Sequence, residues 1–214
     1  MVLSITGIKG MNDILPDAVD LWQFLEQSAR HIFGLYGYSE IRTPVVEKTE
    51  LFCRSIGETT DIVEKEMYTF VDKSDNSLTL RPEGTAPVMR SFIQNRLASL
   101  DPVTKLCYIG PMFRYERPQK GRYRQFHQIG VEAIGVEDAK IDAQVLRMLH
   151  HYFNHIAISA VSLEINSLAR PACRPAYRQQ LISFLEQRLE QLCSECQRRY
   201  RNNPLRVLDC KVEG

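Results

Sequence analysis

Two strand-like runs joined by a short basic turn constrain this chain more than any other feature. Lys105–Arg117 reads KLCYIGPMFRYER and Tyr123–Gly135 reads YRQFHQIGVEAIG, with Pro118-Gln119-Lys120-Gly121-Arg122 between them. Apolar runs on either side of a Pro/Gly turn predict a β-hairpin. Ile109, Met112, Phe113, Ile129 and Val131 predict that the hairpin lies inside a sheet and not at a mobile tip.

The flanking segments fix the fold class. Pro16-Asp17 opens a helical pattern through Leu21, Phe24, Leu25, Ala29, Ile32 and Phe33, ending near Gly34 and Gly37. SEIRTPVVE alternates like a strand, with Pro44 demoting it to an edge or a bend. Glu64 to Leu80 reads as a second hairpin turning at KSDNS, and a helix capped by Thr85 follows through Asn95. Asp138 to Ile156 has helical period, AVSLEIN reads as a strand, and Pro175 to about Arg201 reads as one long helix. Strands in adjacent pairs between helices predict an α+β fold with a mostly antiparallel sheet, not a parallel βαβ fold.

Composition excludes several function classes. A formal net charge of +1 over 214 residues provides no global field for a polyanion, so any such site is local. No stretch approaches the roughly 18 apolar residues of a membrane span, and the first residues lack a signal-peptide pattern. The six cysteines therefore read as reduced thiols of a cytoplasmic protein. Cys193 and Cys196 form a C-x-x-C inside the long predicted helix, with no second ligand pair downstream, and read as a chance pair without a metal.

Chemistry concentrates on the first hairpin. Arg114, Arg117, Lys120, Arg122 and Arg124 share a small volume with one acid, Glu116. Such a cluster calls for a polyanion, and arginine forks suit phosphate oxygens. A solvated charge run is the ordinary alternative, which the apolar strand residues weigh against. Phe126 and Tyr123 offer ring faces on which a base could stack. Gln128 and Glu132 share one face of a strand, and a half-buried Glu132 calls for a cation or an ion-pair partner. Glu83, Gly84 and Thr85 of RPEGT could form an ammonium pocket, although spacing alone favours simple helix capping. His150, His151 and His155 lack the glutamate of a zinc helix and read as surface residues.

At these residues the chain resembles a known family. FRYE, a basic loop and RQFHQIGVE look like motif 2 of class II aminoacyl-tRNA synthetases, here about 108–133. YGYSEIRTPVVEKTELF looks like motif 1, about 37–52. GIKGMNDILP, EKEMYTF, LTLRPEGTAPVMR and GPMFRYERPQKGRYRQFHQ are similar to the histidyl-tRNA synthetase family, over about Ile8 to Leu208.

The resemblance implies ATP-dependent activation of L-histidine with Mg²⁺, then transfer to tRNA(His), by a homodimer joined through motif 1. In that scheme Arg114 binds the ATP α-phosphate and the histidine carboxylate. Arg122 reaches the outer phosphates, Phe126 stacks on adenine and Glu116 lies at its edge. Glu83 and Thr85 hold the α-amino group, Gly84 belongs to the same histidine site, Gln128 and Glu132 line the amino-acid pocket with Glu132 on the imidazole or the amine, and Gln119 and Lys120 approach the tRNA acceptor end. Motif 3, a further catalytic arginine and an anticodon-binding domain are not among these 214 residues. The expectation is one incomplete catalytic domain, an amino-terminal fragment inactive alone. The competing family reading is the catalytically silent histidine-binding regulator of ATP phosphoribosyltransferase, against which the intact RPEGT and PQKGRYRQFHQ stand.

Overall fold

The computed structural model describes residues 5–56, 62–117, 119–166, 170, 172–210 and 212. They belong to two compact units, Met1–Val161 and Ser162–Gly214.

The first unit starts with α1 (Pro16–Leu35), which has proline and Asp17 in its opening turn and buries Ser28, Ala29, Ile32 and Phe33. Gly37 at φ 79° ends it, the N–H of Tyr38 donating back to Phe33 O at 3.0 Å. The single strand expected over SEIRTPVVE is instead two. β1 (Ser39–Glu40) runs parallel to a later strand, whereas β2 (Val46–Lys48) joins a different sheet. The chain changes sheets around Pro44, which has no N–H to continue a ladder.

After α2 (Thr49–Ile56) come β3 (Tyr68–Val71) and β4 (Ser77–Leu80), giving an antiparallel sheet of order β2-β4-β3. The β3–β4 hairpin is shorter than expected, because Ile62–Glu66 forms a π-helical turn. Its own turn is organised by Asp72, whose carboxylate accepts from the N–H groups of Ser74 and Asn76 at 2.8 and 2.9 Å.

Helix α3 (Thr85–Gln94) then leads to β5 (Thr104–Phe113) and β6 (Gln125–Ile134), paired antiparallel from Thr104↔Ile134 to Phe113↔Gln125. Together with β1 they make the second sheet, of order β1-β5-β6. Helix α4 (Ala139–His155) is capped by Asp138, which accepts from Lys140 N at 2.9 Å. The α+β class and the predominance of antiparallel pairing agree with expectation, distributed over two sheets.

The two faces of β5–β6 differ in kind. Cys107, Ile109 and Val131 pack with Ala29, Ile32 and Phe33 of α1 and Met148 and Tyr152 of α4. His127 on that face meets the Trp22 ring edge-on at 4.7 Å between centroids, and burial lowers its pKa. Strand alternation therefore puts Tyr108, Gly110, Met112, Phe126, Gln128, Gly130 and Glu132 on the opposite face. His150, His151 and His155 are exposed on α4, as surface residues.

The expected AVSLEIN strand, residues 160–166 at the boundary of the two units, is not formed. Leu163 and Ile165 are 62% and 75% exposed, without regular structure. Alternation supplies a strand's pattern, but a strand also needs a ladder, and neither described sheet includes this segment. The long helix expected from Pro175 is broken into α5 (Arg174–Glu186), a 3₁₀ turn at Leu189–Gln191 and α6 (Ser194–Arg199), followed by α7 (Leu205–Leu208). The break lets Cys196 and Tyr200 pack on Leu181 and Leu185 of α5. Its carbonyls are satisfied by Gln197, whose Nε2 donates to Leu189 O and Leu192 O, each at 2.8 Å. The C-x-x-C thus sits at the start of a short helix, and Cys210 lies beside it.

Met148 is 2% exposed against the sheet, whereas its neighbour Leu149 is 43% exposed. Met148→Ala is expected to cost about 2–5 kcal/mol in denaturant unfolding and Leu149→Ala less than about 1. Equal costs would show that α4 does not seal this core.

Candidate functional site

The site lies where the end of β4 meets the middle of the β5–β6 hairpin, entirely within the first unit. Arg81 makes the junction. Its side chain is buried, with Nε donating to Pro111 O at 2.9 Å and Nη1 to Thr43 O at 2.9 Å. Its own carbonyl accepts from Phe113 N at 3.0 Å. Burial pulls the guanidinium below its ordinary pKa, partly offset by Tyr108 and Glu47. One arginine thus connects the segment between β1 and β2, the end of β4 and the end of β5. A Cβ on Gly110 would stand 2.5 Å from Arg81 Nη2, so the strand passes close to the guanidinium.

Arg114 follows directly. Its Nε donates to Pro82 O at 2.9 Å, and its guanidinium carbon lies 5.2 Å from the Phe126 ring centroid. The first of these bonds fixes the base of the side chain, and the ring supports its head. Arg114 and Phe126, singled out in the sequence, are therefore adjacent.

The ammonium-pocket residues are also together, with one change of role. Thr85 does not cap α3. Glu83 does, its two carboxylate oxygens accepting from Thr85 N at 2.7 Å and Ala86 N at 2.9 Å. The reason is geometric: Gly84, at φ −104° and ψ −23°, is already turned into the helix, which brings Glu83 within reach of the first free N–H groups. The Thr85 hydroxyl is released to donate to Glu132 Oε1 at 2.8 Å, bridging α3 and β6.

Glu132 is half-buried. Burial raises its pKa above the ordinary carboxylate range, the Thr85 hydrogen bond opposes that shift, and the charge of Glu83 adds to it. Gln128 lies two strand repeats from Glu132 on the same face, paired with Gly110 and partly buried.

Tyr108 was not singled out from the sequence, yet it forms the floor. A Cβ on Gly84 would approach its ring to 2.1 Å and one on Gly130 to 2.2 Å, so the ring occupies space that any side chain at either position would fill. Burial raises its pKa, and the neighbouring Thr85 side chain opposes that shift. Gly130 inside a strand was the available signal, since an isolated strand glycine marks close approach.

At the turn, Gln119 and Arg122 exchange backbone hydrogen bonds of 3.2 and 2.9 Å across Lys120 and Gly121, the latter at φ 80°. Gln119 and Lys120 are exposed there. Arg122 pairs with Glu116 at 3.3 Å, which ties two expected nucleotide contacts to each other. Arg124 stacks on Tyr115, its guanidinium 4.2 Å from that ring centroid, and its Nε donates to Glu116 O at 3.3 Å. The hairpin base is held from outside by Gly10, whose carbonyl accepts from Arg124 N at 2.7 Å and Gln125 N at 3.0 Å. The string GIKGMNDILP therefore has a structural task that periodicity does not reveal.

Comparison with known proteins bears on this geometry. Residues 10–198 match the family model described as histidyl-tRNA synthetase. The chain is 73% identical to a histidine–tRNA ligase of Syntrophotalea carbinolica and 66% to one of Geobacter metallireducens, over 98% and 97% of its length. It spans about half the length of these curated relatives, 50% in both cases. Among solved structures it is similar to the S. aureus histidyl-tRNA synthetase, with a TM-score of 0.74 and 41% identity, covering 95% of this chain and 48% of that one. A Bacillus halodurans structure described as an ATP phosphoribosyltransferase regulatory subunit/histidyl-tRNA synthetase matches at TM-score 0.63 and 25% identity, over 74% of this chain and 40% of that one. By the family match and by these identities, the chain belongs to the histidyl-tRNA synthetase family.

Proposed function

We propose that this chain supplies one wall of the active site of a histidine–tRNA ligase. The observation that carries the reading is the convergence on one sheet face of an arginine–aromatic pair, Arg114 with Phe126, and a half-buried carboxylate, Glu132, held by Thr85. The first pair suits a phosphate beside a base, and the second suits a cationic amine or imidazole. Glu83, Gly84, Thr85 and Gln128 complete the amino-acid side, and Glu116 and Arg122 the nucleotide side. Gln119 and Lys120 face the tRNA end.

In the proposed reaction a histidine carboxylate oxygen attacks the α-phosphorus of ATP. A new O–P bond forms, the bond to pyrophosphate breaks, and negative charge gathers on the phosphate oxygens. Arg114 stabilises that charge from a fixed position, and no general base is needed because the nucleophile is already ionised. The site's own carboxylates are engaged: Glu83 caps α3, Glu116 pairs with Arg122 and Glu132 accepts from Thr85. Mg²⁺ would thus be held chiefly by the phosphates and water. Transfer to tRNA(His), a homodimer through residues 37–52 and a cytoplasmic setting belong to the same proposal. No described helix is long and apolar enough to cross a membrane.

The test uses a full-length protein that contains this chain. It is expected to catalyse histidine-dependent exchange between ATP and pyrophosphate, and Arg114→Ala to lower that exchange by about 10²–10³-fold with circular dichroism unchanged. Arg114→Lys should recover little, since a point charge lacks the fork. Normal exchange in Arg114→Ala would refute the assignment.

Glu132 gives a second prediction. Its folded-state pKa is raised, so the folded protein keeps a proton that the unfolded chain releases, and this group's contribution to stability fades as pH rises through the raised value. Once ionised, the half-buried carboxylate disfavours the folded state relative to the unfolded chain, where it is solvated. Glu132→Gln should therefore unfold at a higher temperature than wild type at pH 7, with the gain disappearing below about pH 4, where both forms are neutral. The same variant should lose histidine binding by calorimetry. A lower midpoint at neutral pH, or unchanged binding, would count against the role.

A further inference from the structure

Cys193, Cys196 and Cys210 meet in the unit Ser162–Gly214, outside the site described above. Their three Sγ atoms lie within 4.8 Å of one another, and Cys193 Sγ is 3.7 Å from Cys210 Sγ. Local structure brings them together. Cys193 is extended at φ −63°, ψ 158° immediately before α6, and Cys196 lies in the first turn of that helix. Cys210 returns to them just after α7, its N–H donating to Val207 O at 3.1 Å. Cys196 is 1% exposed and Cys210 is exposed, so the cluster reaches from the unit's core to its surface.

We propose that these three cysteines form a zinc site that staples the start of α6 to the segment following α7. Tetrahedral zinc with sulfur at about 2.3 Å sets its ligands about 3.8 Å apart, close to the Cys193–Cys210 separation. The remaining separations need to shorten by no more than about 1 Å to match. A disulfide would join two sulfurs, require an oxidant and leave the third unused, whereas a metal ion engages all three. Each thiol gives its proton to solvent as its zinc–sulfur bond forms. Three thiolates select a soft divalent ion over Mg²⁺ or Ca²⁺. Exposed Cys210 leaves the fourth position to water.

The surrounding unit has reason to carry such a staple. Its core is Leu181, Leu185, Cys196, Tyr200 and Val207, without a sheet among the described residues. A metal ion that joins α6 to the segment after α7 adds to what these buried side chains contribute. This site does not depend on the proposed ligase reading, and its test does not use that activity.

The experiment uses the 214-residue chain, purified under reducing conditions without chelator. Zinc by mass spectrometry is expected at about one per chain. After the zinc is removed and Co²⁺ is added, a thiolate-to-cobalt charge-transfer band should appear and be displaced by Zn²⁺. Cys196→Ser and Cys210→Ser should each weaken zinc binding by roughly 100-fold, and chelation should lower the unfolding temperature. Cys173→Ser, an exposed cysteine outside the cluster, should leave all of these unchanged. The cobalt titration reads the wild-type chain directly, so misfolding of a serine variant does not blunt the test. Folded, reduced wild-type chain that takes up neither ion would overturn the proposal. So would two thiols found oxidised with no metal, or undiminished zinc binding by a chain with all three cysteines replaced.

Discussion

The antiparallel ladder of β5 and β6 is the constraint on which the first unit depends. Its ten residue pairs fix which side chains point to which face, and a slip of one residue would exchange core for site. The core face leaves no freedom in this choice. Cys107, Ile109 and Val131 must meet α1 and α4, so Glu132, Gln128 and Phe126 must point the other way. The burial of one face thereby positions the chemistry of the other.

Arg81 extends that constraint to neighbouring segments. Where the ladders end, its guanidinium replaces backbone pairing, donating to Thr43 and Pro111 while its carbonyl accepts from Phe113. A buried arginine is costly unless its donors are used. The carbonyls that use them, of Thr43 and Pro111, belong to two different segments, which the side chain ties together beside their backbone hydrogen bonds. Helix α3 starts five residues downstream of β4, so its first turn inherits the position that Arg81 sets.

The sequence revealed much of this, unevenly. Long periodic segments were legible because burial imposes period: α1, α4 and the β5–β6 hairpin fall where their patterns predict. The grouping of candidate residues was legible where the strings repeat a family's words: Arg114 does lie beside Phe126, and the ladder puts Phe126 and Glu132 on one face. What escaped depends on non-local partners. AVSLEIN alternates like a strand, but alternation does not supply a neighbour. The Pro175–Arg201 segment has helix-forming residues throughout, yet tertiary packing of Cys196 and Tyr200 on α5 outweighs the cost of breaking it. The same break brings Cys210 to the C-x-x-C, which linear spacing could not show. Tyr108 was hidden for a similar reason, because its importance lies in two glycines, Gly84 and Gly130, that come together only in the fold.

The polar groups of the site are partly paired with one another. Glu83 accepts from the start of α3, Glu132 accepts from Thr85, and Arg122 holds Glu116. A ligand must therefore exchange existing hydrogen bonds for its own, and its affinity is the difference between the two sets. That favours ligands whose charge exceeds what the resting partner offers. A cation can displace the neutral Thr85 hydroxyl at Glu132 with gain, whereas an analogue lacking the cation would leave a half-buried carboxylate less well satisfied than before. Selectivity of this kind comes from the burial that makes Glu132 unfavourable when empty-handed. In the proposed role, the residue whose ionised form burial disfavours would be the one that discriminates between ligands.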